Sequence, residues 1–347
     1  MTANSYFIIM GLEKTLGAFH FGPISLELAD GDYMILLGPT GSGKTSLLRG
    51  IAGTLGKTKG EIVLDGASIG DLLTHKRRLG YVSQTGDLFP HLSVSQNVGF
   101  GTRYANLART DAKRRVARFL ELFSLAHLAD RYPAMLSGGE VKRAAMARSL
   151  ITKPRLLLLD EPLAMLDDNG SREVLKTLRV IHDELRTTTI HVTHDRHEAW
   201  SIAQSCAVMN EGTILQKGSV EEVFRKPGSR FVAEFLGGRN MFRASFRDGK
   251  AVVGWGEIPL ADIPATKEGW VMIRPESISP GRSGDKAMVS GMVEEVRDFG
   301  EYIEVKVKVG HDVIVLRSSV EQSKCTKAGM AVSLRWAEEA AHAIADD

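Results

Sequence analysis

Eight residues, Gly38-Pro39-Thr40-Gly41-Ser42-Gly43-Lys44-Thr45, constrain this chain more than any other stretch. They have the G-x-x-x-x-G-K-[ST] form of a phosphate-binding loop. The apolar run before them, Tyr33-Met34-Ile35-Leu36-Leu37, reads as a buried strand, and Ser46-Leu47-Leu48-Arg49-Gly50-Ile51-Ala52 after them has helical spacing. Strand, glycine loop and helix in that order is the context in which such a loop works. The glycines let the backbone turn tightly, so that successive N–H groups aim at one phosphate chain, and the helix N-terminus adds its partial positive charge. Lys44 supplies a point charge for the terminal phosphates and Thr45 a hydroxyl for Mg²⁺, with Ser46 next in the same turn. The stretch predicts an α/β fold that binds a nucleoside triphosphate.

Composition narrows the setting. With 347 residues and 43% apolar content, the chain is long enough for about two domains and a large core. Its 44 basic and 42 acidic residues leave a net charge of +2, which gives no argument for nucleic acid as a bulk electrostatic partner. Two cysteines, Cys206 and Cys325, stand far apart without metal-type spacing, so neither a disulfide framework nor a zinc site is expected, and a reducing cytoplasm suits the chain. The start has no basic region, the apolar stretch Tyr6 to Met10 is too short for a signal sequence, and no run reaches bilayer length. A function at a membrane would need another chain to cross it.

Short strands are expected at Tyr6 to Met10 and Ile24 to Leu28, and further strands at Ile62 to Leu64 and Leu79 to Val82, the last running on to Gln84. From about residue 88 to 153 the pattern is helical. Thr110 is placed to cap a helix with Val116, Phe119, Leu120 and Phe123 on one face, and Lys113, Arg114, Arg115 and Arg118 mostly on a solvated one. Ser137-Gly138-Gly139-Glu140 opens another helix with an exposed N-terminus. The apolar run Leu156 to Leu159 reads as a central parallel strand closed by Asp160 and Glu161, two carboxylates that can divide labour between Mg²⁺ and the attacking water. A strand over Thr188 to Thr193 leads to His194; His191 and His194 face opposite ways along it, which argues against a metal pair. Beyond Met241 the pattern is short strands and turns, a small all-β domain, with Gly237 to Asn240 as its boundary and Pro280 to Gly284 as an internal link.

The phosphate loop, Gln84, Leu136-Ser137-Gly138-Gly139-Glu140, Leu156 to Glu161, Leu166-Asp167 and His194 together resemble the ATP-binding cassette family in number, order and spacing. The resemblance covers residues 1–237 and implies a RecA-like core with a helical subdomain near residues 88–153. It implies an ATPase in which Glu161 is the base for the attacking water, His194 touches the γ-phosphate, and Gln84 contacts Mg²⁺ or water. Thr45 and Asp160 would hold Mg²⁺. Ser137, Gly138, Gly139 and Glu140 would act across a head-to-tail pair of identical chains, with Asp167 in the loop joining the two sites. Residues 238–347 resemble the β-rich regulatory domain of importer cassettes, of TOBE or oligonucleotide-binding-barrel type, through Arg274-Pro275-Glu276 and residues 287–337. The implied protein sits on the cytoplasmic face of the membrane. It would power a separate permease, be served by a solute-binding protein, and bind no nucleic acid.

Three departures from the family pattern stand out. Leu16 occupies the place of the aromatic residue that stacks on adenine, which leaves Phe19 as the ring at hand; the signature ends in Glu140 instead of the commoner Gln; and Ala164 stands where Ser is usual. The wording around Tyr33 to Ser46 resembles molybdate or tungstate importers, with sulfate, iron, polyamine or sugar as the alternative solutes. A soluble cassette acting on ribosomes or DNA normally carries two cassettes or a long coiled coil, and neither is present. A P-loop kinase or G protein would not need residues 136–140 or His194.

Overall fold

The computed structural model describes residues 5–104, 108–262, 266–280, 288–319, 321 and 326–346, so Cys325 and residues 281–284 of the expected link lie outside the described residues. Two compact units divide between Val220 and Glu221. The sequence pattern changes later, near Gly237.

In chain order the first unit runs β1 (Phe7–Leu16), β2 (Phe19–Leu28), β3 (Tyr33–Leu37), α1 (Lys44–Ala52), β4 (Lys59–Leu64), β5 (Ala67–Ser68) and β6 (Leu79–Val82). Then come α2 (Val94–Gly99), α3 (Arg109–Leu122), α4 (Gly138–Leu150), β7 (Leu156–Asp160), α5 (Asp168–Leu185), β8 (Thr189–Thr193), α6 (Arg196–Ile202), β9 (Ser205–Asn210) and β10 (Thr213–Ser219). The antiparallel sheet β2-β1-β4-β5 has longer strands than the alternation suggested. Pairing of β1 with β2 continues to Leu16↔Phe19, but register shifts between Ile9 and Leu12 and between Leu12 and Lys14 break the period of two.

The second sheet has the order β10-β9-β3-β8-β7-β6. Strands β9, β3, β8, β7 and β6 are mutually parallel, and every residue of β3, β7 and β8 is buried, which is why β3 and the Leu156 to Leu159 part of β7 read as apolar runs; β8 buries Thr189, His191 and Thr193 as well. Phe7 and Leu26 from the first sheet, Leu48 and Ile51 from α1, and Leu158 and Ile190 from the second share one core. Because the parallel strands end at the same edge, the residues after β3, β6, β7 and β8 converge there.

Helix α3 buries Phe119 and Leu120, with Phe123 buried just beyond it, and exposes Lys113, Arg114 and Arg118 as expected. Its cap is not Thr110. The N-cap is Ala108, whose carbonyl accepts from Ala112 N at 2.9 Å, so the first turn closes with Thr110 already inside the helix.

Helix α7 (Val220–Arg225) starts on the last residue of the first unit, and the second unit continues with α8 (Arg230–Phe235). Strands β11 (Met241–Arg247), β12 (Lys250–Val253), β13 (Gly256–Pro259), β14 (Glu268–Ile273), β15 (Ser279–Pro280), β16 (Val289–Asp298), β17 (Ile303–Val309), β18 (Asp312–Ser318), β19 (Ala331–Arg335) and β20 (Ala341–Ala345) follow. They form two antiparallel sheets, β13-β12-β11-β14-β20 and β15-β19-β16-β17-β18. Phe242, Val271, Val305, Ile314 and Trp336 meet in one core between them. This is the all-β domain read from the sequence.

Candidate nucleotide site

Sterics explain two of the loop glycines. A Cβ on Gly38 would lie 2.2 Å from the Met209 carbonyl oxygen on β9, and one on Gly43 would lie 2.8 Å from Phe19 Cζ. Gly43 is also the N-cap of α1 with φ 100°, a left-handed value that favours glycine. No side chain caps this helix and no acid sits in its first turn, so its N–H groups are presented to an outside anion. Lys44 is buried and folds over the loop, donating from Nζ to the Gly38 and Pro39 carbonyls, both at 2.8 Å. Burial pushes its pKa down, while the Glu161 and Asp160 carboxylates pull it up.

At the end of β7 the two carboxylates take different partners. Asp160 is buried; its Oδ1 accepts from Thr45 Oγ1 at 2.8 Å and its Oδ2 from Tyr81 OH at 2.9 Å. Glu161 lies just beyond the strand with φ 45°, an uncommon backbone conformation for a non-glycine residue. Its Oε2 accepts from Gln84 Nε2 at 3.2 Å, and its Oε1 lies 3.5 Å from His194 Nδ1. The parallel register makes this sorting: β7 lies between β6, which delivers Tyr81 and Gln84, and β8, which delivers His194. Gln84 therefore meets Glu161, not the Thr45–Asp160 pair.

A cleft of about 690 Å³ opens beside Gln84, Glu161 and His194 and is lined further by Leu166 and Asp168. A second hollow of about 370 Å³ lies against the phosphate loop, where Phe19 and His20 face Thr40, Ser42 and Glu211. Leu16 packs, half-buried, on the first core. Ser137, Gly138, Gly139 and Glu140 line neither space. Instead they start α4, where Ser137 Oγ accepts from Glu140 N and Glu140 Oε2 accepts from Ser137 N at 2.7 Å, a reciprocal capping box. Asp167 caps α5 through Gly170 N at 2.8 Å.

Several residues that sequence reasoning missed support the site. Tyr81 holds Asp160, and burial together with the Asp160 charge raises its pKa. Lys142, buried in α4, donates to the Gln84 carbonyl. His191 is fully buried behind His194, with Nδ1 2.9 Å from Tyr33 OH and Nε2 2.9 Å from Glu198 Oε2. The polar residue inside an apolar strand was the available signal for His191; no sequence signal marked the other two. Among the described residues no cluster of three or more His, Cys, Asp or Glu side chains is placed to hold a metal.

A glycine loop at a helix N-terminus, with an acid from the next strand but one in the parallel sheet on the loop's threonine, defines a P-loop ATPase core. The ABC transporter family model matches residues 21–164, and the TOBE domain model matches residues 271–344. The chain is 42% identical over 277 residues to the sulfate/thiosulfate import ATP-binding protein CysA of Acinetobacter baylyi, covering 78% of each. It is 36% identical over 295 residues to the Fe(3+) ions import ATP-binding protein FbpC of Escherichia coli O157:H7, covering 85% of this chain and 84% of that one. Among solved structures, CbiO1 of Clostridium perfringens, part of an ABC transporter complex, superposes with TM-score 0.58 at 31% identity, covering 64% of this chain and 91% of that one. A dimeric post-hydrolysis ATP-binding cassette with ADP and Pi gives TM-score 0.55 at 26% identity, covering 62% and 98%. The chain belongs to the ABC transporter family, as an ATP-binding, ATP-hydrolysing import subunit.

Proposed function

We propose that two copies of this chain close head to tail on ATP at the cytoplasmic face of a membrane and drive a separate permease that imports a tetrahedral oxyanion. The observation that carries the catalytic reading is the sorting of the two adjacent acids. Asp160 is tied to the phosphate-loop hydroxyl of Thr45, whereas Glu161 is tied to Gln84 and His194 in the open cleft. That sorting supports a role for Asp160 on the metal side of phosphoryl transfer and for Glu161 on the water side.

The donor set fits Mg²⁺. Thr45 Oγ1 and Asp160 Oδ1 are hard oxygens already within 2.8 Å of each other, and Mg²⁺ commonly takes one or two protein oxygens plus substrate phosphates, with no larger protein cage. Bound there, it would neutralise charge on the transferring phosphoryl group. Lys44 would exchange its loop carbonyls for phosphate oxygens. Glu161 would accept the proton of the attacking water, with Gln84 and His194 orienting it and the γ-phosphate. Ser137, Gly138, Gly139 and Glu140 would meet the nucleotide of the other copy, in keeping with the exposure of Ser137 and Gly138 and with the position of all four outside both spaces of their own chain. A site split in this way makes hydrolysis conditional on closure.

Residues 1–237 would do this work and residues 238–347 regulate it. The oxyanion assignment rests on the sulfate/thiosulfate relatives at 42% identity, and the molybdate or tungstate expected from the sequence belongs to the same chemical class. A solute-binding protein would deliver it. Glu161→Gln should lower hydrolysis by at least a hundredfold, keep ATP binding, and shift the protein from monomer to dimer in size-exclusion chromatography with ATP and Mg²⁺. Hydrolysis at the wild-type rate would remove Glu161 as the base. Deletion of the gene should abolish uptake of labelled sulfate or molybdate; loss of Fe(3+) uptake alone would overturn the oxyanion reading.

A further inference from the structure

We propose that Lys142 is a positioning residue that holds Gln84 against Glu161 and so makes the signature helix and the Gln84 loop one mechanical body. The inference rests on the roles given above to Gln84 and Glu161.

Lys142 sits on α4, five residues after the Ser137 cap, and is 4% exposed. A buried ammonium needs a partner, and this one donates to the Gln84 carbonyl oxygen. Burial pushes its pKa down, while Asp160, Asp87 and Glu161 all favour the charged form. The Gln84 side chain in turn donates to Glu161 Oε2 at 3.2 Å. Lys142 is therefore one residue away from the carboxylate that faces the cleft.

The same helix grips the next residues of the loop. Arg148 Nη1 donates to the Asp87 carbonyl at 2.8 Å and Nη2 to the Gly86 carbonyl at 3.2 Å, with its guanidinium carbon 5.1 Å from the centre of the Phe89 ring. A Cβ on Gly86 would lie 3.1 Å from Val141 Cγ1, so the loop lies directly on α4. Inside the loop, Asp87 accepts from Ser83 Oγ and Thr85 Oγ1, both at 2.5 Å. Lys142 and Arg148 thus fix the carbonyls of Gln84, Gly86 and Asp87 in a loop that is also tied within itself. Movement of Ser137 toward the other copy's nucleotide carries Lys142 with it, and through the Gln84 backbone shifts the amide on Glu161.

Steady-state ATP hydrolysis by the full-length chain tests this with Lys142→Met, Gln84→Ala, the double variant, Lys142→Arg and Glu161→Gln. With the concentration of ATP-binding sites measured by nucleotide titration, Lys142→Met should lower kcat per site about tenfold and leave KM for ATP within twofold; loss of folded protein alone would lower the number of sites and leave the rate per site unchanged. Lys142→Arg, which keeps charge and donor, should recover kcat to within threefold of wild type. On the Gln84→Ala background, Lys142→Met should change kcat by less than twofold, because the path through Gln84 is already cut. An equal loss on both backgrounds, wild-type kcat for Lys142→Met, or wild-type kcat for Gln84→Ala would each overturn the proposal. Should Lys142→Met fail to fold, Lys142→Gln enters the same cycle with the same criteria. Persistent hydrolysis by Glu161→Gln would instead count against the base assignment, and is read independently of the Lys142 cycle.

Discussion

Phe19 shows how a single side chain can serve two surfaces. Its ring edge packs on Gly43, at the start of α1, while the residue also lines the hollow beside Thr40 and Ser42. Leu16 and Phe19 both pack, half-buried, on the first core, but of the two only Phe19 lines the hollow, so the proposal that its ring meets the nucleotide base is the one to test. Phe19→Ala should weaken ATP binding by about 0.5–2 kcal/mol, the range for losing one aromatic contact; isothermal titration would show it, and unchanged affinity would reduce Phe19 to a packing role. Cys206 makes a different point, because its chemistry is set by burial alone. The residue is fully buried and its thiol is pushed up to about 12 from a reference of 9.0. Above pH 9 the unfolded chain releases this proton and the folded chain keeps it, so stability falls as pH rises. By pH 10 the loss is about 1.4 kcal/mol. The wild-type unfolding free energy should therefore drop between pH 8 and pH 10 by about that much more than in Cys206→Ala, measured by urea titration.

At the scale of elements, the helical segment is held by polar groups as much as by its apolar stripe. Asn97 on α2 is fully buried; its amide nitrogen donates to the carbonyls of Phe89, Leu92 and Ser93, and its oxygen accepts from Phe89 N at 2.8 Å. Asn97→Ala would strand these backbone groups and should cost about 2–4 kcal/mol, seen as a lower urea midpoint. Nothing in the sequence marked Asn97, because its value depends on how the chain turns back before α2. The phosphate loop, the acids closing β7 and the residue after β8 were legible for the opposite reason: each is a local pattern of strand followed by loop. What could not be read was strand order. That order sets Tyr81 on Asp160, His194 beside Glu161 and the Asn210–Glu211 turn against the phosphate loop, and it follows from pairing between segments far apart in the chain. Thr110 failed as a cap because several residues near a helix start can compete, and the backbone closed its first turn at Ala108. The strands at the chain's beginning were read too short because register shifts hide a period of two.

For the whole molecule, the division of labour follows from where the chemistry lies. Every group proposed for hydrolysis precedes residue 195, and the first unit, ending at Val220, contains both its sheets and its own core. The second unit has a separate core around Phe242, Val305 and Trp336, and among its described residues the charged side chains are mostly paired with one another, as Glu304 is with Arg239 at 2.9 Å and with Arg317 at 3.3 Å. Its helix α8 packs Ala233 against Met272 and Ile344, so a cut after Gly238 would leave that helix without the strands that cover it. A cut at Val220 respects both cores. The fragment 1–220 should fold and hydrolyse ATP within several-fold of the full chain at equal concentration. If the second unit regulates, its removal should also abolish any response of the rate to added sulfate or molybdate, since a coupling of about 1–3 kcal/mol cannot persist without the domain that carries it. A fragment that keeps its circular dichroism and cooperative unfolding but loses hydrolysis would show that residues 221–347 belong to the catalytic machinery after all.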